Sequence, residues 1–150
     1  MSSLAEYFRQ AGKNVAGYDR VGSSITQGLE KRGVSIHYEE DVALIPQEMV
    51  VPENRNHTLV VFTPAVPHNH KELEFFRGNG YRVIKRAELL GLISSTHLTV
   101  AIAGTHGKTT TSSMLGLILL EAQLEPTLVI GGIVNKFNTN TISGEGDIIL

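Results

Sequence analysis

Short apolar runs alternate along this chain with longer segments whose apolar residues recur at helical spacing, the pattern of a parallel sheet covered by helices. Ser3 to Ala11 predicts a helix, with Leu4, Tyr7, Phe8 and Ala11 on one face and Gly12 as its stop. Asn14 to Asp19 (NVAGYD) predicts a strand. Ser24 to Lys31 predicts a second helix closed by Arg32 and Gly33, Val34 to Tyr38 a second strand, and Thr58 to Thr63 a third. Between the last two, ALIPQEMVVPENRNH has two prolines and a polar end, and predicts an irregular excursion. Asn69 to Arg77 predicts a helix, Tyr81 to Lys85 a strand and Ala87 to Ile93 another helix. Ser94 to His97 (SSTH) reads as a linker, after which Leu98 to Gly104 (LTVAIAG) opens a new buried strand. The fold class is therefore α/β with mainly parallel sheets. Residues 1–95 are expected to form a Rossmann-like unit and residues 96–150 the start of a second, P-loop-type unit, with the boundary near Ser94 to His97.

Composition narrows the function classes. The chain has 150 residues, 41% of them hydrophobic, and a mean hydropathy of +0.01, which gives it enough apolar material for a core. A net charge of -2 with 19% charged residues argues against a nucleic-acid surface. The absence of cysteine excludes disulfides, a thiolate nucleophile and a cysteine-based zinc site, and suits a reducing compartment. No apolar run reaches about 18 residues, and MSSLAEYFRQ lacks the basic and apolar regions of a secretion signal. The expectation is a cytoplasmic protein without a membrane span.

The candidate chemistry lies in Val100 to Leu119 (VAIAGTHGKTTTSSMLGLIL). A strand, a glycine-rich turn (GTHGKTT) and a helix over Thr110 to Ala122 would present backbone N–H groups and the positive end of a helix dipole to an anion. Gly104 and Gly107 permit close approach of the backbone. Lys108 can reach the β and γ phosphates of a nucleotide, and the Thr109 hydroxyl is placed to ligate Mg²⁺. The plain alternative is an ordinary turn, with Lys108 solvated and the threonines capping the helix. The G-K-T run favours phosphate. The usual G-x-x-x-x-G-K-[ST] pattern wants glycine where Ile102 stands, so the loop is a shortened variant.

AGTHGKTTT resembles the ATP loop of the Mur ligase family, the amino-acid ligases of peptidoglycan precursor synthesis and their folylpolyglutamate synthase relatives. His106, between G-T and G-K-T, resembles the branch that joins L-alanine to UDP-N-acetylmuramate, and its cousins that ligate a whole murein peptide. SSLAEYFRQAGKNVAGYD is similar to the first helix and second strand of the family's UDP-binding domain. VVFTPAVPHNHKELEFFRGNGYRVIKRAELL is similar to its later segment, and LVIGGIVN (Leu128 to Asn135) to the Gly-Gly strand end that follows the ATP helix. Together these pieces cover essentially the whole chain.

The resemblance implies ATP-dependent C–N bond formation through an acyl phosphate. Gly104, Thr105, His106, Gly107, Lys108, Thr109 and Thr110 would bind ATP, Lys108 would be catalytic, and Thr109 would hold Mg²⁺ with a carboxylate from beyond Leu150. His106 is either a phosphate donor or a neutral spacer in the loop. The resemblance also implies a fragment. The family's first strand and G-x-G-G-x-G turn would precede Met1, and the rest of the central domain and a C-terminal domain would follow. Such a piece is expected to expose apolar sheet surface and to be poorly stable or prone to self-association.

On the substrate side, Asp19 ends a strand where an acidic residue commonly meets a ribose or base, with a turn or capping aspartate as the equal alternative. Thr63, Pro64 and Ala65 follow a strand at its carboxyl end, where open α/β sheets bind ligands. His68 and His70 read as surface histidines, and His37, His57 and His97 carry no assigned role. The remaining alternative is a nucleotide-binding module without ligase activity. A dehydrogenase is disfavoured because G-x-G-x-x-G is missing.

Overall fold

The computed structural model describes residues 1–134 and 139–150. In chain order the elements are α1 (Ser2–Gln10), β1 (Ala16–Tyr18), α2 (Ser24–Lys31), β2 (Ser35–His37), α3 (Gln47–Val50), β3 (Leu59–Phe62), α4 (Lys71–Gly78), β4 (Arg82–Lys85) and α5 (Arg86–Ser94). There follow β5 (Leu98–Thr99), α6 (Lys108–Glu121), β6 (Leu128–Val134), β7 (Thr139–Ile142) and β8 (Ile148–Ile149). Among the described residues the named strands pair in twos, and a parallel bridge between Thr127 and Ile149 also joins β8 to the start of β6. β1–β2, β3–β4 and β5–β8 are parallel, and each connection contains a helix, as a parallel crossover requires. β6–β7 is antiparallel. The fold is the expected α/β type, with mainly parallel pairing.

Local sequence explains the helix limits. Ser23 caps α2, its hydroxyl accepting from the Thr26 N–H at 3.2 Å while the Ser23 N–H donates to the Thr26 hydroxyl at 2.8 Å. The excursion after β2 contains no strand. It folds as single turns, α3 among them, and seats Ile45 against Phe76 and Tyr81 beside α4. The Tyr81 hydroxyl donates to the Val51 carbonyl at 3.3 Å, tying this segment to β4.

Two expectations change. Leu98 to Gly104 does not form a buried strand: only Leu98 and Thr99 enter a ladder, and Leu98 is 67% exposed. The Val100 N–H still donates to the Ile149 carbonyl at 2.8 Å, after which the chain leaves β8, the one ladder partner of β5 among the described residues. A strand buries its two faces only where other elements cover them, and the side chains of Leu98 and Thr99 stay open to solvent. The Gly131–Gly132 pair does not end its strand either. β6 runs through it to Val134, because β7 pairs with residues on both sides of the glycines; Asn135 lies outside the described residues.

Leu4, Ile84, Leu89, Ile93 and Ile149 form the largest buried cluster, with Val61 and Val129 packed against it. Residues on both sides of position 95 therefore share one core. A second contact seats α6 on β6, where a Cβ at Gly116 would stand 2.9 Å from the Leu128 Cδ1 atom. On the other side of α6, Met114 and Ile118 are 62% and 64% exposed. Among the described residues no helix is long and apolar enough to cross a membrane.

Glu6 ties α1 to α2. Its carboxylate accepts from Arg9 Nη2 at 2.9 Å, Gln10 Nε2 at 2.9 Å and Arg32 Nε at 3.0 Å. Burial pushes the Glu6 carboxyl up, but hydrogen bonds from Arg9 and Arg32 outweigh it and hold the group below its ordinary value of 4.5. With the folded value below the unfolded one, the stabilisation is complete above the ordinary carboxylate range and is lost as pH falls through the folded value. Glu6→Gln is expected to cost about 1–2 kcal/mol at neutral pH, because both arginines are partly solvated. Thermal melts followed by circular dichroism should show the gap between variant and parent closing as the pH drops below about 4.

Candidate functional site

The phosphate-type loop is built where the chain leaves β5 and enters α6. Gly107 is the residue before the helix and takes φ +78°, ψ -3°, a left-handed conformation that an L side chain would strain. The helix begins at Lys108, two residues earlier than the sequence pattern suggested. Lys108, Thr109 and Thr110 therefore form its first turn, where backbone N–H groups lack intrahelical acceptors. The Thr111 N–H donates to the Gly107 carbonyl at 2.9 Å, closing that turn.

The Lys108 side chain curls back over the loop. Its ammonium donates to the Gly104 carbonyl and, at 3.1 Å, to the Thr105 carbonyl. The lysine is thus not simply solvated; it ties together the loop that precedes it. Thr109 lies against β6, where a Cβ at Gly132 would come within 3.3 Å of its methyl carbon and 3.8 Å of its hydroxyl oxygen. The glycine at 132 leaves room for that side chain. Gly104 to Thr110, His106 included, are exposed to solvent. Thr109 offers one oxygen to a cation, which fits Mg²⁺, since that ion keeps several waters and takes few protein ligands. Among the described residues no group of three histidine, cysteine or acidic side chains is arranged to hold a metal.

Asp19 and Thr63 stand at the carboxyl ends of β1 and β3, as the sequence indicated. The Asp19 carboxylate accepts from the Val21 N–H at 3.2 Å, so the turn role is occupied in this structure. The Thr63 carbonyl accepts from the Val66 N–H at 3.0 Å, folding Pro64 and Ala65 into an exposed turn. The N-terminus of α1 opens nearby, with the Met1 ammonium within electrostatic reach of Arg86 and Asp19.

His68 is exposed, but His70 is not a surface histidine: it is 6% exposed and sets its ring edge-on to Tyr18, with centroids 4.7 Å apart. The reason is register. His70, Leu73 and Phe76 are spaced three apart, and the two apolar members of that stripe are buried as well. That spacing was available as a signal. Sequence reasoning also missed His37, whose Nε2 lies 2.9 Å from a Glu72 carboxylate oxygen, and Arg86, whose buried Nε has no hydrogen-bond partner among the described residues.

A family model described as "Mur ligase family, catalytic domain" matches residues 1–97. The chain belongs to the Mur ligase family. Among curated Mur ligases it is 50% identical over 149 residues to the UDP-N-acetylmuramate--L-alanine ligase of Flavobacterium psychrophilum, covering 99% of this chain and 32% of that protein. It is 43% identical over 150 residues to the enzyme of the same name from Christiangramia forsetii, again covering 32% of the relative. The chain thus spans about a third of the length of these relatives. Among solved structures, the UDP-N-acetylmuramate-alanine ligase of Thermotoga maritima superposes with a TM-score of 0.84 at 26% identity, over 99% of this chain and 33% of that one. A UDP-N-acetylmuramate:L-alanyl-gamma-D-glutamyl-meso-diaminopimelate ligase from Neisseria meningitides gives 0.83 at 25% identity, over 99% and 47% of the two chains.

Because the Lys108 ammonium is exposed, Lys108→Ala is expected to change folding stability by less than about 1 kcal/mol. The same substitution should weaken binding of a nucleoside triphosphate by at least about tenfold. Thermal melts and titration calorimetry on one preparation check both.

Proposed function

We propose that this chain is the nucleotide-handling part of an ATP-dependent ligase that joins L-alanine to the lactyl carboxylate of UDP-N-acetylmuramate in the cytoplasm. One observation carries the reading. A lysine-bearing loop stands at the N-terminus of α6, in a chain half identical, over nearly its whole length, to a curated UDP-N-acetylmuramate--L-alanine ligase. Residues 1–95 take the UDP-sugar and residues 96–150 open the ATP-binding domain.

The reaction sets an electrostatic problem. The substrate carboxylate must attack the γ-phosphorus of ATP, so two anions have to meet. The N–H groups of Gly104 to Thr110 hold the β-phosphate at the positive end of α6. Lys108 exchanges the carbonyls of Gly104 and Thr105 for phosphate oxygens and offsets charge as ADP leaves. His106, exposed in the same loop, donates to a phosphate oxygen. Mg²⁺, held in part by the Thr109 hydroxyl, supplies further charge neutralisation when bound. The amine of L-alanine then attacks the acyl carbon of the acyl phosphate, and phosphate departs. Asp19, Thr63, Pro64 and Ala65 contact the UDP-sugar at the carboxyl ends of β1 and β3.

The test is ADP release by the full-length protein given ATP, UDP-N-acetylmuramate and L-alanine. Alanine-dependent turnover that Lys108→Ala reduces by at least about a thousandfold is expected. Turnover with a tripeptide but not with alanine would move the protein to the murein-peptide ligases, of which the Neisseria structure is a neighbour. Nucleotide binding without turnover on either acceptor would make it a binding module.

A further inference from the structure

Asp19 and the turn of Thr63 to Ala65 leave different strand pairs, and among the described residues no backbone ladder joins β1–β2 to β3–β4. Residues at the N-terminal end of α4, His70 to Glu72, cross between them directly. Glu72 reaches His37 on β2, the ring Nε2–H donating to its carboxylate at 2.9 Å, and the two side chains are only 9% and 11% exposed. Two residues earlier, His70 packs its ring on Tyr18 of β1. The Lys71 N–H donates to the Glu40 carboxylate at 2.6 Å, a third crossing.

Both ends of this clasp lead to substrate-side residues. The Asp19 N–H donates to the carbonyl of His37 at 3.2 Å, and Tyr18 is the residue before Asp19. On the other side, the Val66 N–H bonds to the Thr63 carbonyl and the His70 N–H to the Pro67 carbonyl, so the Thr63 turn runs through two hydrogen-bonded steps into His70. A ladder fixes the spacing of strands, but the loops leaving their ends can still swing. The clasp acts on those loops.

We propose that the His37–Glu72 pair, with His70 against Tyr18, is a positioning device that sets Asp19 relative to Thr63–Ala65 and thereby the affinity for the UDP-sugar. The inference rests on the substrate-side assignment above. Its physical argument is the choice of a buried polar pair. Apolar residues of similar volume would hold the two layers together at least as well, whereas a charged hydrogen bond adds a fixed distance and direction. These are positioning residues, acting through Tyr18 and Asp19.

The test uses the full-length protein and titration calorimetry with UDP, alongside KM and kcat. The double variant His37→Phe, Glu72→Leu keeps the layers packed and removes the directional bond. It is expected to melt near the parent temperature while raising the Kd for UDP and the KM for the UDP-sugar about five- to tenfold, with KM for ATP and kcat unchanged. Glu72→Gln, which retains an acceptor for the imidazole N–H, should recover most of the affinity. Parental Kd and KM in the double variant would overturn the proposal, and so would weakened binding that only tracks a lowered melting temperature. Asp19→Ala separates the two levels. If it weakens UDP binding and the double variant does not, the clasp alone fails; if it changes nothing, the substrate-side assignment fails and takes the clasp with it.

Discussion

The burial of Leu4 against Ile84, Leu89, Ile93 and Ile149 is the contact on which the other elements lean. Strands as short as β5 and β8, two residues each, have too few ladder bonds to stand alone. Their stability comes from apolar surface removed from water, worth about 1.5–3 kcal/mol for each large side chain fully buried. Because Ile149 sits in the same cluster as Leu4, the far end of the chain is anchored to its first helix. β8 in turn holds β5, and β5 sets where the phosphate-type loop begins.

The other end of that loop is fixed by close contact. Gly116 lets α6 lie directly on Leu128, and Gly132 makes room for Thr109, so one strand, β6, receives both the middle of the helix and its first turn. A side chain at Gly116 would meet the buried Leu128 methyl at 2.9 Å and one at Gly132 would crowd Thr109, so either would make this contact between α6 and β6 adjust. The electrostatics of the loop are therefore a product of packing. The dipole and the unpaired N–H groups point where they do because small residues on α6 and β6 allow the approach.

Much of this was legible in the sequence, and the failures have physical causes. Ser24 to Lys31 was placed to the residue because Ser23 and Arg32-Gly33 are local signals that act within one turn. Strand ends were overestimated, as at Asn14 to Asp19 against Ala16–Tyr18, because an apolar run records burial while a ladder needs a partner. The same gap misplaced Leu98 to Gly104. The loop was identifiable from G-K-T, yet the return of Lys108 to its own carbonyls was not, since that depends on how the backbone curves between Gly104 and Gly107. His70 was misread because histidine was judged by type; its spacing to Leu73 and Phe76 carried the better information.

That inward-turned lysine gives the loop an internal brace. The Gly104 and Thr105 carbonyls take two of the ammonium's three N–H donors, so on the proposed function a ligand must offer those donors more than two neutral carbonyls do. On that reading a nucleoside, lacking phosphate, has nothing to trade, whereas charged phosphate oxygens can draw the side chain away. The hold of Lys108 on an anion is, on the same reading, set against hydrogen bonds that the loop already makes within itself.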